Sequence, residues 1–294
     1  MIGGGMSSLG KAEGVGTSGM MIVLLGAVAK VMLETVLIVT LQMGVRGAAL
    51  ATILSQFLSA LWIVKFLTGR KAILRLKTSA FRLKKERVKN IVALGMSGFT
   101  MAITNSSVQI MYNASLQHYG GDLYVGIMTV INSVREIISM PVNGLTNSAQ
   151  PVMGFNYGAG EYKRVKRAIV FISVVSIAYT TVMWLFVHGF PEFFIRIFNQ
   201  DADLVREGIP AMRIYYFGFF MMSLQFAGQS VFVALGKAKN AVFFSIFRKV
   251  IILIPLVLVL PLMFGLGTDG VLMAEPVSNF VGGAACFITM LSTV

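Results

Sequence analysis

Five ionisable side chains stand well inside long apolar runs: Lys30, Glu34, Arg135, Glu136 and Glu275. Charge in such a setting is costly, so each position is a candidate for carrying or exchanging an ion. Lys30 and Glu34 are four residues apart, so on a helix they share a face and neutralise one another. Arg135 and Glu136 are neighbours, and Glu275 lies in the last apolar run. A second set is polar but uncharged. Asn105, Gln109 and Asn113 recur at every fourth residue and share one helical face, with Asn132 and Asn143 on the run that follows. Gln225 and Gln229 repeat the spacing further on, and Asn279 follows Glu275 by four. In lipid each of these must find a hydrogen bond or border a wet cavity, and a whole polar face is best explained as a cavity wall. Glu34, Glu136 and Glu275 are therefore the candidates for ion coupling, and the eight amides are the candidates for a substrate cavity.

Catalytic chemistry has no comparable signal. His118 and His188 fall at the ends of apolar runs, every aspartate is in a loop, and no Ser/His or His/Glu metal spacing occurs within the runs. Cys286 is the only cysteine, which leaves no disulfide and no multi-cysteine metal site. No catalytic residue, metal or cofactor is expected, and the chain is not read as an enzyme.

The elements that must position these side chains are membrane helices. Of 294 residues 56% are hydrophobic and 13% charged, and the mean hydropathy is +0.79. That is more apolar material than a soluble core of this length can bury. A helix crossing the hydrocarbon needs about 20 apolar residues. Eight stretches of that kind are legible: Met20 to Leu41, Ala48 to Leu67, Ile91 to Leu116, Leu123 to Leu145, Ala168 to Val187, Ile209 to Leu235, Val242 to Phe264, and Val271 to Ser292. Barrel strands are half as long and alternate polar with apolar, which this sequence does not. The fold class is an all-α integral membrane protein of about eight transmembrane helices.

The net charge of +13 is distributed by loop. Ten basic residues and one acid, Glu86, lie between Lys65 and Lys89. Lys163, Arg164, Lys166 and Arg167 form a second group, and Lys237, Lys239, Arg248 and Lys249 a third. The intervening loops hold Asp122, then Glu192, Asp201, Asp203 and Glu207, then Asp269. This alternation is what positive-inside topology produces, with both termini cytoplasmic. A topology signal resting on anionic headgroups accounts for the basic stretches, so the lipid bilayer and not nucleic acid is the expected partner. The first ten residues carry no basic n-region or short apolar h-region, so no signal peptide is read there.

The first two apolar runs resemble the last two at an offset of 223 residues. Gly44 pairs with Gly267, Gly47 with Gly270, Ala51 with Ala274, Ser55 with Ser278, Gln56 with Asn279 and Phe57 with Phe280. With three residues gapped, Gly10-Lys11-Ala12 matches Gly236-Lys237-Ala238. The repeating unit is then six helices, of which the second copy is complete and the first is represented by its last two. The expected organisation is residues 1–68 as the last two helices of an amino-terminal lobe, 69–90 as a basic cytoplasmic linker, and 91–294 as a complete six-helix carboxyl-terminal lobe. The first four helices of the first copy, about 140 residues at this spacing, are expected to be absent.

One segment carries a family resemblance. GLTNSAQPVMGFNYGAGEYKRVKRA, Gly144 to Ala168, resembles the signature G-x-Q-P-x-x-G-[FY]-N-Y-G-A…R-V-K of the MATE family, the multidrug and toxic compound extrusion transporters. Its defining residues here are Gly144, Gln150, Pro151, Asn156, Tyr157 and Gly158. MGVRGAALATILSQF, Met43 to Phe57, and GKAKNAVFFSIFRKVIILIPL, Gly236 to Leu256, are similar to two further family stretches. The resemblance implies two six-helix lobes facing one another across a cavity that opens alternately to either side. It implies efflux of amphipathic or cationic small-molecule drugs in exchange for H+ or Na+, in a bacterial inner membrane, with an amino-terminal half or a second copy as a further partner. The family's fifth helix reads N-x-x-x-D-P, where this chain has Lys30, Glu34 and Thr35, so a cation stands beside the acid. Two other outcomes stay open: a lipid or lipid-linked oligosaccharide flippase of the same broad fold, and an inactive truncated fragment. A flippase would need a markedly cationic cavity, whereas this sequence offers only Lys30, Arg135 and Arg248 in or near the bilayer.

Overall fold

A computed structural model of the chain describes residues 16–68 and 85–293. The pairing of Gly10 to Ala12 with Gly236 to Ala238, and most of the basic linker, lie outside the described residues. The chain divides into two compact units, Met1–Val88 and Lys89–Val294.

The first unit is a helical pair. Helix α1 runs Gly16–Glu34 and continues as a wider turn over Thr35–Thr40, and α2 is Gly44–Thr68. Neither contains proline, and both are apolar nearly all round, as suits a helix in lipid. Gly44 starts α2 with φ 54°, a backbone conformation that glycine adopts without a Cβ penalty. Gly47 lies so close to the end of α1 that a Cβ there would stand 3.0 Å from the carbonyl oxygen of Leu37.

The second unit begins with one long segment, Lys85–Gly158, broken at Gly121 by φ 66° and ψ −162°. Helix α3 spans 85–120 and α4 spans 122–158. The predominantly apolar 60-residue stretch from Phe99 to Gly158 is thus long enough for two crossings at about 20 residues each. Gly160, φ 76°, ends α4, and α5 follows at Tyr162–Gly189. A short α6, Pro191–Phe198, leads to α7, Ala202–Tyr216, which Asp201 caps by accepting from the amides of Asp203 and Leu204. Helix α8, Phe219–Ala234, continues α7 after a 45° bend, so the pair is one broken span. Helix α9 is Ala238–Val259 and α10 is Gly267–Thr293. Five of the described helices are long and apolar enough to cross a membrane, or six with the bent pair taken as one span; dividing Phe99–Gly158 at Gly121 and adding α1 brings the count to the eight runs expected, and no strand occurs among the described residues.

Two clusters of buried side chains hold the second unit together. One gathers Tyr112, Met128, Ile131, Tyr215, Tyr216 and Leu253 from α3, α4, α7 and α9. The other joins Met153, Val165, Phe232, Phe244 and Cys286 of α4, α5, α8, α9 and α10. Without a hydrophobic drive between helices in lipid, close packing and polar contacts must do the joining. A Cβ on Gly283 of α10 would lie 2.6 Å from the carbonyl oxygen of Met221 in α8. Ser230 of α8 donates to the carbonyl of Thr146 in α4 at 2.9 Å, and Tyr216 of α7 donates to that of Ile131 at 3.0 Å. Outward-facing Val170, Phe171 and Val174 on α5 remain exposed, as lipid-facing side chains should.

The repeat recurs as contacts. Gly267, like Gly44, opens its helix with positive φ, 50°. Gly270, like Gly47, backs onto the preceding helix, where a Cβ would meet Leu260 at 2.7 Å; Leu37 and Leu260 are themselves 223 apart. Ser55 donates to the carbonyl of Thr52 at 3.0 Å, and Ser278 to that of Glu275 at 2.9 Å. Ala51 and Ala274 are both fully buried. The second copy therefore carries a carboxylate, Glu275, where the first carries Thr52.

Candidate functional site

Two irregular helices build the site. In α9 the backbone loosens into i→i+5 turns over Phe247–Leu253, directly before Pro255, whose ring and missing N–H disturb the turn above it. In α10 the same loosening covers Asn279–Gly283, just after Pro276. Such wide turns cluster at functional sites. Here the α9 turn winds adjacent Arg248 and Lys249 through a smaller angle than an α-helix would, and both border one pocket. Gly282 makes room for the first: a Cβ there would lie 2.4 Å from Cγ of Arg248.

Glu275 is the centre. It is 2% exposed, and its Oε1 lies 3.3 Å from Nη1 of Arg248 and 3.6 Å from Nη1 of Arg135. Tyr112 donates its hydroxyl to Oε2 at 3.4 Å. Arg135 also donates to the hydroxyl of Tyr215 at 3.2 Å, and the rings of Tyr112 and Tyr215 meet edge to face. Arg248, 5% exposed, donates to Oδ1 of Asn279, and Lys249 donates to Oδ1 of Asn105. Helices α3, α4, α7, α9 and α10 are thus joined through one carboxylate and its partners. A buried acid is tolerable here because two guanidiniums face one of its oxygens and a phenol the other.

These residues line a small, partly open pocket. Asn105, Gln109 and Asn132 supply its neutral polar wall, and Val108, Met128 and Leu253 its apolar one. Nδ2 of Asn132 and Nε of Arg248 are buried without an acceptor among the described residues.

Of the residues expected from the sequence, the structure brings Asn105, Gln109, Asn132 and Glu275 to this pocket, with Asn279 bonded to its edge. Asn113 shares the face of Asn105 and Gln109 but does not reach the lining, where Tyr112 stands instead. Gln229 is buried, bonding the carbonyl of Ala241 at 3.4 Å, and Gln225 is buried with Oε1 unmatched; neither borders the pocket. Asn143 and Glu136 are exposed on α4. Glu34 pairs with Lys30 at 3.6 Å within α1. The signature residues Gly144, Gln150, Pro151, Asn156, Tyr157 and Gly158 occupy the last turns of α4, where Gln150 donates to Asn147 and Asn156 to the carbonyl of Val152. They shape the end of that helix and its turn into α5; they are not pocket residues. Sequence reasoning missed Lys249, grouping it with cytoplasmic loop charges. Two adjacent cations nearly three turns inside α9 were the signal available.

The MatE family profile matches residues 97–259, a stretch holding α4 to α9 and most of α3. Multidrug export protein MepA of Staphylococcus aureus (strain MSSA476) is 25% identical over 254 residues, covering 84% of this chain and 55% of the relative. The chain spans about half the length of the curated relatives it matches. Among solved structures, a MATE protein in complex with MaL6 superposes with a TM-score of 0.93 over 99% of this chain and 66% of that one, at 20% identity. A MOP superfamily transporter from Pyrococcus furiosus, described as having a binding pocket of reverse polarity, matches with a TM-score of 0.87 over 94% of this chain and 62% of that one, also at 20% identity. These likenesses are to transporters and export proteins, not to enzymes.

Proposed function

This chain belongs to the MatE family, and from that premise we propose that it serves secondary active export of small organic molecules by alternating access, in antiport against H+ or Na+. Residues 91–294 supply a complete six-helix lobe and 1–68 two helices of the facing lobe, the remainder coming from an amino-terminal half or a second copy. The observation that carries the reading is Glu275, an acid at membrane depth held by Arg135, Arg248 and Tyr112 inside a pocket. Charge so placed is expensive and is retained where ions or substrates are handled. Because the cluster ties five helices to one carboxylate, changing the charge on Glu275 changes which helices hold together, which is what a rocking lobe requires. Multi-pass insertion in a bacterial inner membrane with both termini cytoplasmic completes the proposal, supported by the loop charges.

The test is accumulation of amphipathic dyes of either charge sign by inside-out vesicles carrying the chain, under an imposed H+ or Na+ gradient. Gradient-dependent accumulation is expected, falling at least about tenfold in Glu275→Gln at unchanged membrane abundance. Accumulation that survives both Glu275→Gln and Glu34→Gln would end the coupling role of either acid.

A further inference from the structure

The donors and acceptors around the pocket do not balance. Arg135 and Arg248 are guanidiniums, charged at any physiological pH, so they alone outnumber the one carboxylate they face. Lys249 adds a third basic group. The one charged acceptor, Glu275, is engaged by two arginines and Tyr112, while Oδ1 of Asn279 is taken by Arg248 and Oδ1 of Asn105 by Lys249. Donors are in surplus, since Nε of Arg248 and Nδ2 of Asn132 are buried with nothing to bond. What such a site lacks is an acceptor with negative charge. Guanidinium groups match carboxylate and phosphate geometry, and an ammonium group brought here would meet like charge.

Resting on the transport reading of this pocket, we infer that its ligand is an amphipathic organic anion, a carboxylate or phosphate bound by Arg135, Arg248 and Lys249. Its apolar portion extends past Val108, the apolar lining residue that is only partly buried. The enclosed part of the pocket is small, so the anionic group enters it and the apolar portion lies at its open side. Glu275 is the built-in competitor, an internal carboxylate that occupies the guanidiniums when the ligand is absent. On this inference the pocket favours anions over the cationic drugs that the family resemblance implies. The same chemistry can arrive as a free solute or as a lipid phosphate.

The experiment is calorimetric titration of the full chain in phosphatidylcholine nanodiscs with phenyl phosphate, benzoate and benzyltrimethylammonium. Phenyl phosphate or benzoate should bind and the ammonium should not. Lys249→Gln and Arg135→Gln should each weaken the anion about tenfold, and Glu275→Gln should tighten it about tenfold by removing the competitor. The gain separates a binding site from a folding defect, which could only lose affinity. Repeating the titration with phosphatidylglycerol in the discs identifies the source: unchanged affinity marks a free anion, and displacement of phenyl phosphate marks a lipid headgroup at the same arginines. Binding of the ammonium alone, no binding of any probe, or anion affinity indifferent to all three substitutions would overturn the inference. Gradient-driven export of a cationic dye with no anion binding overturns this inference and leaves the transport reading standing; anion binding without gradient-driven export does the reverse.

Discussion

Glu275 and Arg248 are nearly solvent-free and depend on one another. Removing one member of a buried pair leaves the other uncompensated, at a typical cost of about 3–5 kcal/mol. Arg248→Leu should therefore lower the thermal unfolding midpoint in detergent strongly, since Glu275 keeps only Arg135 at 3.6 Å and the Tyr112 hydroxyl at 3.4 Å. The double variant Arg248→Leu/Glu275→Leu should lose at least about 1 kcal/mol less than the sum of the singles, because the two residues share one interaction. Strict additivity in that cycle would show that the pair is not coupled. At this scale the acids and amides were readable in the sequence, because polar atoms inside apolar runs stand out. Their partners were not. Lys249 sits only a few residues beyond basic Lys237 and Lys239, so composition assigned it to the loop, and only the path of α9 turns it into the pocket. Tyr112 and Tyr215 were hidden among ordinary aromatic core residues.

At the level of elements, close backbone contact sets how α9 and α10 sit. Gly270→Ala places a Cβ 2.7 Å from the backbone of Leu260, and no side chain can move aside to relieve it. A loss of about 2 kcal/mol or more is expected. Gly47→Ala in the first copy meets Leu37 at 3.0 Å and should cost less. Comparing the two unfolding midpoints checks the repeat: equal or inverted losses would mean that the second copy does not pack its helices more tightly. The eight apolar runs, the 223-residue repeat and the turns at glycines were legible, because span length and glycine position are local properties. The wide turns at Phe247–Leu253 and Asn279–Gly283 were not. Prolines at 255 and 276 announce a disturbance without saying which way the helix resolves it, and that resolution decides where Arg248, Lys249 and Asn279 point.

For the molecule as a whole, the loop charges predict sidedness. The native cysteine is buried, so single introduced cysteines report cleanly on their own position. Lys166→Cys should react with a membrane-impermeant maleimide only in inside-out vesicles, and Asp203→Cys only in right-side-out vesicles or intact cells. Labelling of both from one side would contradict the positive-inside reading. The chain spans about half of its curated relatives, so the facing lobe's contribution to transport is a proposal about an assembly. The pocket lies wholly within the compact unit Lys89–Val294.

The most direct test of the claim that the Glu275 cluster is the working site compares two acids of the same span class. Glu275→Gln and Glu136→Gln, expressed to equal abundance, are assayed side by side for ion-gradient-driven dye accumulation in inside-out vesicles. Glu136 is exposed on α4 and borders no pocket, so its variant should transport like the parent, while Glu275→Gln should fall at least about tenfold. Equal transport by the two variants, or a loss confined to Glu136→Gln, would contradict it.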